Sequence, residues 1–242
     1  MNSSAVTRIG VLVPAGNTVH EAEFARLRPA GVEFAFRGFA YPSADSADFC
    51  GDLAQRMAAP MAELRDWGAV LMLIGCTTAS MKCCEPAQEA RFAALAGVPV
   101  VTAAAASREA FAALQLRSLA VATPYGDSGN ATVAQFLRAD GMTVAAIAGL
   151  GLDRSPEVWK TEAVTLPARR VADFAAATDV PAADAMYLPC TGVGSIEAID
   201  LFEQQQRKPA LSSVQAGYWA CLRRLGIDGR RDFGGHLIRS WP

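Results

Sequence analysis

The sequence contains an internal repeat, in which both halves carry the same succession of apolar runs and turn residues. RIGVLVPAGNT at residues 8–18 corresponds to SLAVATPYGDS at 118–128, and VLMLIGCTT at 70–78 corresponds to AMYLPCTGV at 185–193. The segment GVEFAF has a similar counterpart in GMTVAA, and both halves end in a helix-forming stretch. A period of about half the chain indicates two copies of one βαβαβαβ unit.

The repeat predicts the fold class. Strands that alternate with helices form parallel sheets with right-handed crossovers. We therefore expect an α/β protein with two pseudo-symmetric lobes, each a short parallel sheet flanked by helices, and an active site in the cleft between them. The first lobe is predicted to comprise residues 1–102 plus 213–242, and the second residues 103–212. Residues 149–165 lack clear periodicity and are predicted to be a loop, and the Gly/Arg-rich end of the chain is predicted to be a tail.

The composition is that of a soluble protein with a sizeable core. Of the 242 residues, 52% are hydrophobic and 19% are charged. The formal net charge of −2 and the absence of a basic stripe argue against nucleic acid as a partner. No apolar run approaches the roughly 18 residues of a spanning helix, and residues 1–5 lack the apolar segment of a signal peptide. We expect a cytoplasmic protein without a membrane partner, in which all six cysteines are reduced.

Two cysteines occupy matched positions in the repeat. Cys76 lies in the first elbow (residues 74–78) and Cys190 in the second elbow (residues 188–192), each between an apolar run and a helix-forming segment. Such residues lie at the carboxyl ends of strands, where α/β folds open their binding crevice. A helix N-terminus there is expected to lower the thiol pKa, and the thiolate is the reactive form. A single free cysteine is more often a buried apolar residue, but the matched placement favours one site built from both halves.

The residues around these cysteines are suited to binding a carboxylate. Both elbows offer backbone N–H groups and threonine hydroxyls, and the loops after the first strand of each half offer an asparagine amide and a tyrosine hydroxyl. The asparagine could equally be a turn residue, and the tyrosine a half-buried aromatic. The candidate substrate-binding residues are Asn17, Thr77, Thr78, Tyr125, Thr191 and Gly192.

Other catalytic classes lack a motif in this sequence. There is no C-x-x-C, and His20 and His236 are the only histidines, so no metal is predicted. Neither G-x-S-x-G nor G-x-G-x-x-G nor G-x-x-x-x-G-K-[ST] occurs, which argues against a serine hydrolase and against nucleotide binding. Cys83, Cys84 and the remaining cysteines give no further pattern. The sequence predicts no cofactor.

Together these residues resemble the aspartate/glutamate racemase superfamily. The resemblance runs over nearly the whole chain. It rests on the two elbows, on Tyr125 and on Pro14-x-x-Asn17-Thr18-x-x-Glu21, in which Thr18 and Glu21 also have the spacing of a helix capping box. The likeness is strongest to maleate cis–trans isomerases, and arylmalonate decarboxylases are a second neighbour through the segment 212–219.

The resemblance implies a cofactor-independent enzyme whose partner is a small carboxylate or dicarboxylate substrate. Cys76 would add to a C=C bond conjugated to a carboxylate, and Cys190 would deliver and remove the proton at the neighbouring carbon. Asn17, Thr78 and Tyr125 would hold carboxylates. The alanine-rich helices are compatible with a homodimer.

The sequence departs from these families at two points. The isomerases carry a further carboxylate-binding asparagine in the second half, whereas residues 149–165 contain none. The decarboxylases have a cysteine only at the second elbow, so Cys76 argues for two-cysteine chemistry. The first hypothesis is therefore a cis–trans isomerase of a maleate-like acid. The alternatives are a two-cysteine racemase or epimerase, a decarboxylase of a malonate-type acid, and a non-catalytic two-lobed binding protein.

Overall fold

The computed structural model describes residues 6–43 and 45–242 and contains two parallel four-stranded sheets. The first sheet has the order β2-β1-β3-β4, and the second has the order β6-β5-β7-β8. The two orders are the same when the strands of each half are counted separately, which confirms the predicted α/β class with two similar halves. The strands are β1 (Thr7–Pro14), β2 (Val32–Phe39), β3 (Leu71–Ile74), β4 (Val100–Thr102), β5 (Ser118–Thr123), β6 (Thr143–Gly149), β7 (Ala185–Leu188) and β8 (Ala210–Ser212).

Helices connect the parallel strands and cover the sheets. The central strands β3 and β7 are buried along their whole length because helices pack on both faces of each sheet. The helices are α1 (Val19–Leu27), α2 (Phe49–Asp66), α3 (Thr77–Lys82), α4 (Pro86–Ala96), α5 (Ala103–Ala113), α6 (Asp127–Ala139), α7 (Pro156–Val158), α8 (Ala168–Thr178), α9 (Ile196–Gln206), α10 (Ser213–Arg224) and α11 (Gly235–Ser240).

Helices α5 and α10 join the two halves. They follow the last strand of each sheet and pack against each other. Residues 213–222 of α10 are all buried. All strands of the first sheet come from residues 7–102, and all strands of the second from residues 118–212. The exact division of the chain into lobes stays a prediction.

Two predictions of irregular structure are wrong. Residues 149–165 are not a plain loop but form a 3-10 turn (Leu152–Arg154), the single turn α7 and a π-helical turn (Trp159–Ala163). Single turns are too short to show a helical period. The C-terminal segment likewise contains a helix, α11, whose first N–H groups bond to two carboxylates of α9.

The predicted capping box at the start of α1 is also absent. The Thr18 side chain makes no capping hydrogen bond, and Glu21 is exposed. Instead, the side-chain amide oxygen of Asn17 accepts a hydrogen bond from the His20 N–H at 3.2 Å. An amide oxygen one residue earlier therefore satisfies a free N–H group of the first turn.

The prediction that all six cysteines are reduced is wrong for one pair. Cys50, in the first turn of α2, forms a disulfide with Cys83, at the C-terminal end of α3. The fold brings their Cα atoms to 5.7 Å, within the range that a disulfide requires. The sequence separation of 33 residues gave no sign of this approach.

Across residues 6–43 and 45–242, none of the helices combines the length and the apolar character needed to span a bilayer. Residues 1–5, on which the prediction about a signal peptide rests, lie outside the described part of the chain.

Candidate active site

The two predicted cysteines lie at equivalent strand ends. Strand β3 ends at Ile74 and strand β7 at Leu188, so each cysteine is the second residue after its strand. Cys76 occupies the position immediately before α3. Cys190 is followed by residues 191–195, here called the Cys190 turn, before α9 begins. The predicted placement at the carboxyl ends of two central strands is confirmed.

One direct hydrogen bond joins the two elbows, and a second joins Asn17 to the Cys190 elbow. The Thr191 hydroxyl donates to the Gly75 carbonyl oxygen at 2.9 Å, and the Asn17 amide nitrogen donates to the Thr191 carbonyl oxygen at 3.0 Å. Thr191 follows Cys190 and Gly75 precedes Cys76, so the two cysteines lie near each other at the junction of the two halves. A charge on Cys190 raises the pKa of Cys76, in line with this proximity.

Burial governs the protonation of both thiols. Cys76 is 5% exposed and Cys190 is 6% exposed. Burial raises the pKa of each thiol to about 11, although nearby N–H groups and hydroxyls oppose the shift. The expectation that a helix N-terminus lowers these pKa values is therefore wrong. The desolvation of a fully buried thiolate outweighs the few dipoles of short or displaced helix starts.

Tyr125 lies beside Cys190 in the loop after β5. Its backbone N–H is bonded to the Thr123 hydroxyl at 3.0 Å, which fixes the loop directly at the strand end. The Tyr125 hydroxyl lowers the pKa of Cys190, against the larger effect of burial. Burial also raises the pKa of Tyr125 itself, so this phenol is a neutral hydrogen-bond donor at ordinary pH.

The remaining predicted residues border the two thiols. The Gly192 N–H lies 3.2 Å from the Cys190 sulfur. The Thr78 hydroxyl lies 3.2 Å from the hydroxyl of Tyr41, which follows β2. The Thr77 hydroxyl is buried and has no hydrogen-bond partner in the described part of the chain. The structure thus gathers all the predicted site residues around the elbows, and their roles toward a ligand stay predictions.

Two aromatic rings that were not among the predicted site residues cover the elbows. A Cβ atom on Gly75 would lie 2.5 Å from the His20 ring, and one on Gly192 would lie 2.7 Å from the Trp159 ring. Only glycine allows rings to approach so closely at these positions. The Trp159 ring also stacks on Tyr125, with centroids 6.3 Å apart and planes inclined by 7°.

Helix α1 did carry a signal for its site residues. Its buried positions are His20, Glu23, Phe24 and Leu27, spaced as one face of a helix. Two of these four are polar, and a polar residue on a buried face needs a partner or a role. Burial lowers the pKa of His20 to about 3, so the ring is neutral where it packs on Gly75. Trp159 gave no such signal because its segment has no clear period.

Metal ligands are not clustered in residues 6–43 and 45–242, where no group of three or more His, Cys, Asp or Glu side chains could hold an ion. The chemistry available at the junction is that of two thiols, the phenols of Tyr41 and Tyr125, one amide, the threonine hydroxyls and several N–H groups. Such groups can add to an activated carbon, transfer protons and bind a carboxylate.

Comparison with known proteins gives concordant matches over nearly the whole chain. The sequence profile of the arylmalonate decarboxylase family matches residues 9–238. Arylmalonate decarboxylase from Bordetella bronchiseptica is 25% identical over 228 residues, which cover 93% of each protein. Maleate isomerase from Nocardia farcinica is 25% identical over 249 residues, which cover 97% of this chain and 96% of the relative. A solved cysteine-to-serine mutant of the Nocardia farcinica maleate cis-trans isomerase, with a covalently bound succinylcysteine intermediate, has the same fold, with a TM-score of 0.81 at 23% identity over 97% of this chain and 98% of that one.

Proposed function

The chain belongs to the arylmalonate decarboxylase family, and we propose that within this family it is a cofactor-independent cis–trans isomerase of a maleate-like unsaturated acid. One observation carries the proposal. Each half contributes a cysteine, and the hydrogen bond from Thr191 to Gly75 brings the two elbows together. Double-bond isomerisation by addition and elimination needs a nucleophile and a separate proton donor, and a pair of thiols supplies both.

The reaction divides between the two thiols. The Cys76 thiolate forms a C–S bond to one alkene carbon, and the π electrons move to the neighbouring carbon, where the conjugated carboxylate stabilises them. The Cys190 thiol protonates that carbon, and the resulting C–C single bond rotates. Cys190 then removes the proton, the C–S bond breaks, and the trans alkene leaves with the Cys76 thiolate restored. The succinylcysteine in the Nocardia farcinica mutant is the adduct expected from such an addition to maleate, and it supports this scheme.

The substrate carboxylates would be held by polar groups at the junction. The Asn17 amide nitrogen donates to the Thr191 carbonyl oxygen at 3.0 Å and has a longer contact of 3.5 Å to the Thr191 hydroxyl, which a substrate carboxylate would replace as acceptor. Tyr125 is a neutral donor beside Cys190, and Thr78 presents its hydroxyl from the first turn of α3. These groups converge from two loops and from the start of α3, an arrangement that suits a small acid bound between the halves.

A two-cysteine racemase or epimerase is the second candidate. Its support is the similarity of the two thiols, since burial raises the pKa of both to about 11. One thiolate would remove the proton from an acidic α-carbon, and the opposite thiol would return one to the other face.

A three-part assay separates the candidates. Incubation with maleate should convert the cis alkene signal in the proton NMR spectrum to that of fumarate. Chiral amino and hydroxy acids in D2O should show no deuterium at the α-carbon, and an arylmalonate should release no CO2. Deuterium exchange without fumarate formation would favour the racemase, and CO2 release would place the chain with the decarboxylases.

A further inference from the structure

The Cys190 turn has no regular backbone structure of its own. Even so, it must hold Cys190 at the junction and carry two of the predicted substrate-binding residues. Its Thr191 end is bonded to Asn17 and to Gly75. Its Ser195 end precedes α9, whose first N–H groups need acceptors. What holds the Ser195 end therefore decides where the whole turn lies.

Glu23 holds that end from the other half of the protein. Its carboxylate accepts hydrogen bonds from the Ser195 N–H at 2.9 Å, from the Ile196 N–H at 3.0 Å and from the Ser195 hydroxyl at 2.8 Å. The Ser195 hydroxyl also lies 2.8 Å from that of Ser212, the residue that caps α10. Ser195 itself makes no capping bond to α9. The cap of α9 is thus a carboxylate that lies 173 residues earlier in the sequence.

A local cap would have been less costly than Glu23. The side chain is 5% exposed, and removing a carboxylate from water is unfavourable unless its acceptor sites are filled. Burial raises the pKa of Glu23, while the N–H groups of Ser195 and Ile196 lower it. A serine at the start of a helix commonly provides the cap through its own hydroxyl. Using Glu23 instead ties the start of α9 to α1, which a local cap cannot do.

We propose that Glu23 is a positioning residue, which holds the Cys190 turn so that Cys190 faces Cys76. Asn17 and Glu23 lie at the start and in the middle of the α1 segment, and they bond to the first and last residues of the turn, respectively. With both ends fixed, the N–H groups of Gly192 and Val193 point at the Cys190 sulfur and lower its pKa against burial. The catalytic part of this inference rests on the proposed function, whereas the geometric part does not.

The test compares Glu23→Ala with Glu23→Gln in the full-length chain. Alanine removes every acceptor. Glutamine keeps an oxygen for the N–H groups of Ser195 and Ile196, and its amide can donate to the Ser195 hydroxyl. Glu21→Ala is the matched control, because Glu21 is on the same helix but exposed. All measurements are made well below the melting temperature of the least stable variant.

The first readout is alkylation by iodoacetamide, followed for each cysteine by peptide mass spectrometry. In Glu23→Ala, the released turn exposes the buried Cys190, and its alkylation rate should rise at least fivefold relative to that of Cys76. Glu23→Gln and Glu21→Ala should leave the ratio within twofold of the parent value. A purely structural role would raise both rates together through global unfolding. A parallel rise of both rates, or an unchanged ratio in Glu23→Ala, would overturn the proposal. So would a ratio in Glu23→Gln that rises as much as in Glu23→Ala.

The second readout is steady-state turnover of maleate. Glu23→Ala should lower kcat by about 10- to 100-fold, the range expected when a reacting group is displaced by about 1 Å, and change KM less. Glu23→Gln should recover most of kcat. If the parent protein does not act on maleate, the proposed function fails, but the alkylation ratio still tests the position of Glu23.

Discussion

The two elbows have the same place in the repeat but different supports. Cys76 directly precedes α3, and the far end of α3 is tied to α2 by the Cys50–Cys83 disulfide. Cys190 is separated from α9 by a turn that is held in place by hydrogen bonds to Asn17, which precedes α1, and to Glu23 of α1. The first elbow thus belongs to one covalently closed unit, whereas the second depends on the contact between the halves. The repeat determines where the two thiols lie, and contacts that occur in only one half distinguish them.

The electrostatic surroundings of the two thiols also differ. Burial raises the pKa of both to about 11, but beyond burial their charged neighbours have opposite signs. Lys82 lowers the pKa of Cys76, and Asp153 raises the pKa of Cys190. A positive neighbour favours a thiolate, and a negative neighbour favours a protonated thiol. For Cys76 the effect of Lys82 is smaller than that of the Cys190 charge, which raises the pKa, so the roles of the two thiols rest on the proposed chemistry and not on these charges.

Replacing each cysteine by serine should have the largest effect and should separate the two roles. Cys76→Ser and Cys190→Ser should each lower turnover of maleate by about 10²- to 10⁴-fold, since acid–base groups contribute on that scale and the nucleophile is needed for the addition itself. Only Cys190→Ser keeps the nucleophile. In this variant water protonates the carbanion in place of Cys190, and no Cys190 thiolate is present to remove the proton again, so only this variant should accumulate a succinyl adduct. Peptide mass spectrometry should find the adduct on Cys76.

Cys84→Ser is the control for this comparison, because Cys84 is free and partly exposed. It should retain parent turnover and form no stable adduct. An adduct on Cys190 in Cys76→Ser would reverse the assigned roles. Equal adducts in both serine variants would mean that the two thiols are interchangeable.

Opening the disulfide should weaken the first elbow and leave the second unchanged. A closed loop of 33 residues lowers the entropy of the unfolded chain, so Cys50→Ser should lower the free energy of unfolding by roughly 3–4 kcal/mol. Urea denaturation measures this loss. Hydrogen exchange should become faster in α3 but not in the Cys190 turn. A parent protein that contains no Cys50–Cys83 disulfide by mass spectrometry would contradict the expectation, as would unchanged exchange in α3.

The sequence was sufficient for the features that recur in both halves. The two parallel sheets, the position of each cysteine after its strand and the location of Asn17 and Tyr125 all follow from the aligned segments, because a repeated βα unit repeats its strand ends. Features that belong to one half only could not be read in this way. Examples are the disulfide, the ring of Trp159 over Gly192 and the cap provided by Glu23. They depend on contacts between the halves and between their loops. Only the cap provided by Glu23 had a signal in the sequence, which is a polar residue on the buried face of α1.

Glycines near the two cysteines should also show that the first elbow is more rigid than the second, with smaller losses of stability than opening the disulfide. A Cβ atom on Gly75 would lie 2.5 Å from the His20 ring and 3.2 Å from the Leu12 carbonyl oxygen, and His20 is fully buried. The ring and the backbone cannot both move aside, so Gly75→Ala should cost about 3 kcal/mol of unfolding free energy, the upper part of the range for overpacking.

At the second elbow, the clash of Gly192→Ala involves the half-buried Trp159 ring, carried by a short helical turn that can shift outward. This variant should therefore cost only about 1 kcal/mol. In a Trp159→Leu background, Gly192→Ala should cost little, because the smaller side chain removes the contact. Urea unfolding measures these losses in the parent, in Gly75→Ala, Gly192→Ala and Trp159→Leu, and in the variant that combines Trp159→Leu with Gly192→Ala. Equal losses for the two glycines would show that the second elbow is as rigid as the first, and would weaken the view that it depends on hydrogen bonds from α1.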